Sequence, residues 1–263
     1  MTMHHTRSGR GKPLLLIHGL GGSHRSWDTV FTSLAKERDV IALDLPGHGQ
    51  TPAEADSGTF DGLARSVEDW LAKEDLEGID MVGSSMGARL VLEMARRGRA
   101  GAVVVLDPGG FWQGWERTFF RTTITASIAV VRAMQPVLPA ITKNIAGRTA
   151  LMLQLSAKPW ALHPSLVLNE LRSFAGTSTF DSLVKDLATS PMQEGPAANG
   201  APVVIGWGRK DRLCLPAQAS RAMNAFPKAK MHWFAQSGHF PMWDQPMDTI
   251  QVILDATGRP AYA

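Results

Sequence analysis

Short apolar runs closed by turn residues alternate along this chain with longer stretches whose apolar positions recur at helical spacing. Pro13 to Ile17 (PLLLI) predicts a buried strand running into the glycine-rich turn His18-Gly19-Leu20-Gly21-Gly22, and a helix is expected over 27–36. Val40 to Leu43 predicts the next strand, closed by Asp44-Leu45-Pro46-Gly47-His48-Gly49. Leu63, Val67, Trp70 and Leu71 fall on one face of a helix over 63–71. A strand over 79–82, a helix over 88–97 and a strand over 103–106 follow. Strands that read as unbroken apolar runs between helices belong to parallel sheets covered on both faces, so the pattern predicts an α/β protein with a mostly parallel central sheet.

The pattern changes after Asp107-Pro108-Gly109-Gly110. From Phe111 to Gly200 the chain is rich in Leu, Ala, Met and Arg, and Phe120, Ile124, Ile128 and Val131 step by four, four and three, one face of a helix. Alternation resumes with a strand over 203–207, a helix over 216–225, a strand over 230–234 and a closing helix over 247–256. Residues 1–110 and 201–263 are therefore expected to form one core domain and 111–200 a helical insertion, with Gly195 to Pro202 as its return linker.

Composition narrows the class. With 263 residues, 44% of them hydrophobic and 19% charged, the chain can bury a large core without staples. The 27 basic and 24 acidic residues are scattered, and runs such as Arg96-Arg97-Gly98-Arg99 are short, which argues against a nucleic-acid partner. A single cysteine, Cys214, excludes an internal disulfide and paired-cysteine zinc sites. Met1 to Lys12 has no apolar stretch, and the longest uncharged run, Gly195 to Gly208, is broken by Gly and Pro. A soluble cytoplasmic protein without stable membrane insertion is expected.

The chemistry concentrates in Gly83-Ser84-Ser85-Met86-Gly87, between a predicted strand and a predicted helix. A serine on so tight a turn is exposed at the sheet edge beside the positive end of the helix, and small residues are needed at 83 and 87 to avoid the neighbouring backbone. A hydroxyl is a poor nucleophile near neutral pH and needs a base that is itself oriented by a third group. Two later loops supply these: Asp211 just past the strand over 203–207, and His239 just past the strand over 230–234. All three should meet at one edge of a parallel sheet.

These segments together resemble the α/β-hydrolase superfamily, in the branch with a helical cap inserted after the sixth strand. The matching residues are His18-Gly19, Asp44 to Gly49, Ser85, Asp211 and Gly238-His239. The resemblance implies that Ser85 attacks a carbonyl carbon, His239 carries the proton, Asp211 orients the imidazole, and the backbone N–H groups of Leu20 and Met86 form the oxyanion hole. It implies no cofactor and no metal.

Each role has a rival. Asp107 also follows a strand at the same edge and is the alternative acid, although Asp107-Pro108 reads equally as a turn. His18 is expected to shape the oxyanion loop, His48 to serve its turn, and His232 to pack in the core. Cys214 is expected to be a small packed residue. No dinucleotide fingerprint, phosphate loop or H-E-x-x-H is present. Serine rather than aspartate at the elbow, with the lone tyrosine at position 262, argues against epoxide hydrolases and haloalkane dehalogenases of similar fold.

Phe111, Trp112, Trp115, Phe119, Phe120, Met134, Met152 and Trp160, with Phe240, Met242 and Trp243 after the histidine, predict a largely apolar pocket. The expected partner is a small or medium apolar carboxylic ester. Gly83 to Gly87 and Gly238 to Trp243 are also similar to the carbon–carbon bond hydrolases of ring-fission products, but Ser84 stands where that family has asparagine and Phe240 where it has tryptophan. Thioesterase, lactonase or perhydrolase chemistry, or a slow-turnover receptor for small molecules, are the further readings.

Overall fold

A computed structural model describes residues 2–258; Tyr262 therefore lies outside the described residues. The seven strands described are β1 (His5–Ser8), β2 (Pro13–Ile17), β3 (Asp39–Leu43), β4 (Asp80–Ser84), β5 (Val103–Leu106), β6 (Val203–Gly208) and β7 (Lys230–Phe234). They form one sheet in the order β1-β3-β2-β4-β5-β6-β7. Every pairing is parallel except β1 with β3, where His5 faces Leu43 and Ser8 faces Val40.

The period-2 geometry of strands divides the core between the two faces of the sheet. Leu15, Ile17, Met81, Val103 and Val105 pack on one side with α2 (Phe60–Lys73) and α3 (Met86–Arg96), and α9 (Ala219–Ala225) joins the same cluster. Leu14, Leu16, Val82, Val104 and Leu106 pack on the other with α1 (Asp28–Leu34) and α11 (Pro246–Thr257). Leu14 to Ile17 are wholly buried, and each such side chain contributes about 1.5–3 kcal/mol of burial free energy. That explains why β2 was legible to the residue.

Between β5 and β6 the chain is helical: α4 (Trp115–Ala133), α5 (Leu138–Lys143), α6 (Ile145–Met152), α7 (Pro164–Gly176) and α8 (Phe180–Thr189). The spacing of Phe120, Ile124, Ile128 and Val131 is explained by α4, whose buried residues include three of them. Counted along this chain the helical segment leaves after the fifth strand, not a sixth, because only the short β1 precedes the parallel set among the described residues. The strand β1 was not expected: HTRS offers no apolar run, and it pairs only at the sheet edge. A short helix α10 (Pro241–Asp244) lies between β7 and α11.

Candidate active site

β4, β5, β6 and β7 lie side by side and parallel, so the loops leaving the C-terminal ends of β4, β6 and β7 share one edge. Ser85 directly follows β4 and is the N-cap of α3, with φ 56° and ψ −115°. A non-glycine residue there carries strain of order 1–3 kcal/mol, which the surroundings must hold. They do so by close approach. A side chain at Gly83 would collide with the backbone of Gly87 and Ala88, and one at Gly87 with the carbonyls of Ile17 and His18. The Ser85 N–H donates to Leu106 O at 2.9 Å, and its carbonyl accepts from Gly109 N at 3.1 Å.

The β6 and β7 loops are pressed together in the same way, since a side chain at Gly208 would overlap the carbonyl of Gly238. Lys210 N donates to Ser237 O at 2.9 Å. Asp211 is thereby brought against His239, both almost fully buried. Asp211 Oδ2 lies 2.8 Å from His239 Nδ1, and His239 Nε2 lies 2.8 Å from Ser85 Oγ. An ionised carboxylate only accepts, so Nδ1 carries the proton and Nε2 is left to accept from the serine hydroxyl. The other carboxylate oxygen, Asp211 Oδ1, accepts from the N–H groups of Leu213 and Cys214 at 2.8 and 3.1 Å, which fixes the carboxylate plane.

Asp107 reaches the same region but is built differently. It is fully buried at φ 46°; Oδ1 accepts from Gly208 N at 2.8 Å, and Oδ2 has no partner. Burial, and then the neighbouring Asp211 charge, raise its carboxyl well above the usual range. The carboxylate that touches the imidazole belongs to Asp211.

Leu20 and Met86 border the serine as expected. Gly19 packs against it so closely that a Cβ there would sit 3.0 Å from the Ser85 Cβ, which places the Leu20 loop beside the hydroxyl. Met86 is the first residue of α3, whose N–H has no acceptor within its own helix. His18 holds this loop: Nδ1 donates to Gly19 O at 2.7 Å and Nε2 accepts from Leu45 N at 3.1 Å, while burial lowers its basicity. His48 is buried in its turn, with Nδ1 3.1 Å from Pro46 O, and burial lowers its pKa to about 3. Cys214 is buried in the core, and burial pushes its thiol pKa well up. His232 departs from expectation: β7 is an edge strand, and the ring is half-buried, 3.3 Å from Asp248 on α11, not inside the core.

One contributor carried no signal in the sequence. Asp244 Oδ2 accepts from Gly238 N at 2.7 Å and from Ala157 N at 2.8 Å, and its Oδ1 accepts from Ser156 Oγ. With His239 N donating to Leu155 O at 2.9 Å, the histidine loop is tied to the helical segment. A lone carboxylate on a one-turn helix has no spacing that marks it.

A cavity of about 420 Å³ opens on Ser85 and His239. Its wall includes Leu20, Phe119, Phe120, Ile124, Ile128, Val131, Leu155, Leu171, Phe174, Phe180 and Phe240, with Ser127, Gln154 and Arg212 as its other polar side chains. Of the aromatic and methionine side chains singled out in the sequence, Phe119, Phe120 and Phe240 line it and the others lie elsewhere. Trp115 and Trp160 point to solvent, 65% and 53% exposed, Phe111 and Trp112 pack in the core, and Met152 is buried elsewhere in the helical segment. Trp243 stacks on Phe240 behind the wall and donates Nε1–H to Ser26 O at 3.0 Å.

The sequence of residues 14–252 matches the model of the alpha/beta hydrolase family, and the chain belongs to that family. Among curated relatives it is similar to a 2-hydroxy-6-oxononadienedioate/2-hydroxy-6-oxononatrienedioate hydrolase of Paraburkholderia phymatum, 26% identical over 98% of this chain and 92% of the relative. It shares its fold with a thermophilic esterase from Thermogutta terrifontis, with a TM-score of 0.76 and 20% identity over 96% of this chain and 92% of the other. A meta-cleavage product hydrolase from Pseudomonas fluorescens IP01 superposes with a TM-score of 0.73 and 18% identity, covering 96% and 93% of the two chains.

Proposed function

We propose that this protein is a serine hydrolase that cleaves small to medium apolar carboxylic esters through an acyl-enzyme, with residues 111–200 capping a core formed by residues 1–110 and 201–263. The observation that carries this reading is the unbroken relay from Asp211 through His239 to Ser85 Oγ, opening on an apolar cavity.

In the first half-reaction His239 Nε2 takes the Ser85 proton as Oγ bonds to the carbonyl carbon, and the carbonyl oxygen becomes an oxyanion. The N–H groups of Leu20 and Met86 receive that charge, and fixed donors in a dry site stabilise it without reorganising. Asp211 stabilises the imidazolium. The C–O bond then breaks, and His239 returns the proton to the departing alkoxide. Water repeats the sequence on the acyl-enzyme, with His239 again as base, releasing the acid and restoring the serine.

The ring-fission reading is favoured by the names of two similar proteins, a dioate hydrolase and a meta-cleavage product hydrolase. The cavity argues for the ester. A dianionic substrate needs cationic partners when water is removed. Among the described residues Arg212 is the one Lys or Arg side chain on the wall, and its guanidinium already donates to Leu153 O at 2.6 Å.

A panel of p-nitrophenyl esters from two to sixteen acyl carbons, run on the native chain and on Ser85→Ala, tests the proposal. Turnover should peak at short or medium chains, and the variant should lose about a millionfold in kcat or fall to background. A folded native chain inert to every ester, but active on a ring-fission dienoate, would replace the ester reading with the carbon–carbon one.

A further inference from the structure

Away from the serine, three side chains from separate segments converge on one point. His4 comes from the start of the chain just before β1, His24 from the helical turn that follows the glycine-rich loop, and Asp44 from the end of β3. His4 Nδ1 lies 2.9 Å from Asp44 Oδ2 and His24 Nδ1 lies 3.0 Å from Asp44 Oδ1, and all three donor atoms fall within 4.8 Å of one another. The two rings face each other with centroids 5.0 Å apart.

The carboxylate is held as a ligand would be. It is fully buried, and each oxygen accepts one backbone N–H, Oδ1 from His24 at 2.6 Å and Oδ2 from Gln50 at 2.9 Å. The imidazoles take the remaining side of the carboxylate, with His4 Nδ1 on Oδ2 and His24 Nδ1 between the two oxygens at 3.0 and 3.1 Å. Gly49, at φ 53°, wraps so tightly that any side chain there would overlap the carboxylate. Burial alone would raise this acid, but the His24 side-chain bond and the backbone N–H groups of His24 and Gln50 outweigh it and hold it below the ordinary range. Backbone hydrogen bonds of this kind orient metal-ligating carboxylates.

We infer that His4, His24 and Asp44 form a site for a divalent transition-metal ion, Zn²⁺ by donor set, separate from the serine site and assigned to no step of ester cleavage. Two imidazole nitrogens and one carboxylate oxygen with an open fourth position are a zinc donor set. Bonds of about 2.0–2.1 Å at tetrahedral angles put donor atoms about 3.3 Å apart. The separations from the shared oxygen Asp44 Oδ2, 2.9 Å to His4 Nδ1 and 3.1 Å to His24 Nδ1, need only a few tenths of an ångström of opening. On binding, each neutral ring moves its proton from Nδ1 to Nε2, and the freed Nδ1 lone pair replaces the hydrogen bond to Asp44. His4 and His24 side chains are 32% and 16% exposed, so an ion can enter from solvent. An ion there would pin the N-terminal strand to the turn that ends the Leu20 loop.

The test is calorimetry of the full chain, stripped with chelator and dialysed, titrated with Zn²⁺, alongside its thermal unfolding and the visible spectrum with Co²⁺. The expected result is one ion per chain with micromolar or tighter Kd, a Tm raised by the ion, and the intense visible bands of four-coordinate Co²⁺. His4→Ala and His24→Ala should each weaken binding at least tenfold, while His163→Ala, at the N-cap of α7, should not. His4 is partly exposed beside an edge strand, so His4→Ala keeps the test valid if His24→Ala fails to fold. No binding, or binding equal in the native chain and His4→Ala, would overturn the inference; the latter, with loss of ester turnover, would place the ion on His239, Asp211 and Cys214, whose donor atoms also cluster.

Discussion

The edge of the sheet and the helical segment above it face the same cavity but are specified in opposite ways. At the edge, backbone runs against backbone: Gly83 against Gly87, Gly87 against Ile17 and His18, Gly208 against Gly238. One residue type fits each place, so the chemistry is written in local motifs. In the helical segment, Ile124, Ile128 and Val131 need only be apolar and correctly spaced to form their face of α4. Many side chains satisfy that condition. The reacting groups are therefore sharply specified while the shape of what they act on is not.

The largest effect expected on the edge separates its two buried acids. Asp211→Asn should lower kcat by about 10⁴, because the amide no longer fixes the histidine tautomer. Asp107→Asn should cost less than about tenfold, since Asp107 does not touch the imidazole and an amide oxygen can still accept from Gly208 N. Steady-state kinetics of both variants on one ester decide it, and equal losses would erase the distinction between them.

Next in size is the backbone contact itself. Gly83→Ala should destabilise the fold by about 1–3 kcal/mol or more, the cost of overpacking against atoms that cannot move, read as a lower urea midpoint. Ile128→Ala should cost stability too, but the segment should still fold and its cavity enlarge. Tolerance at Gly83 as great as at Ile128 would contradict the contrast.

The cavity wall should change selectivity and leave the chemistry alone. Ile128→Trp fills the cavity from α4, and turnover of twelve-carbon and longer esters should fall by roughly tenfold relative to the acetate, about 1.4 kcal/mol of differential binding. An unchanged chain-length profile would mean that the acyl chain lies elsewhere.

The smallest expected effect concerns Glu170 on α7, fully buried and accepting from Ser26 Oγ at 3.0 Å. Burial raises its pKa from 4.5 to about 8. Between those values the folded chain holds a proton that the unfolded chain has released, so stability falls as pH rises from about 4.5 to about 8 and levels off above. Glu170→Gln removes that slope. Its Tm should match the native chain near pH 4.5 and exceed it by a few degrees at pH 8.5, and a variant less stable at pH 8.5 would show that the ionised form is the one the fold accommodates.

What could be read beforehand follows the same division. β2 and β5 were legible to the residue because their apolar runs are buried, and Ser85, Asp211 and His239 stood out because they follow the C-terminal ends of β4, β6 and β7 by one, three and five residues. β1 was missed because its residues face solvent at an antiparallel edge. His232 was misplaced because local alternation does not reveal which strand lies at the edge, and it lies on β7. Which of the aromatic side chains reach the cavity was not legible: Trp115 and Trp160 face solvent while Phe119 and Phe120 line it, since the side of a segment that meets the cavity depends on how helices cross. Asp244 and Glu170 act through contacts more than 80 residues away in sequence, to Ser156 and Ser26 respectively. No spacing rule reaches that far.

The most direct test of the relay is covalent capture of Ser85. A p-nitrophenyl alkylphosphonate loses nitrophenolate to an activated serine and leaves a stable phosphonyl ester in the geometry of the tetrahedral intermediate. Incubated with the full chain and followed by peptide mass spectrometry, it should label one residue, Ser85, stoichiometrically, with labelling abolished in Ser85→Ala and slowed by orders of magnitude in His239→Ala. Labelling of another residue, or none in a folded chain, would contradict the assignment of Ser85 as nucleophile.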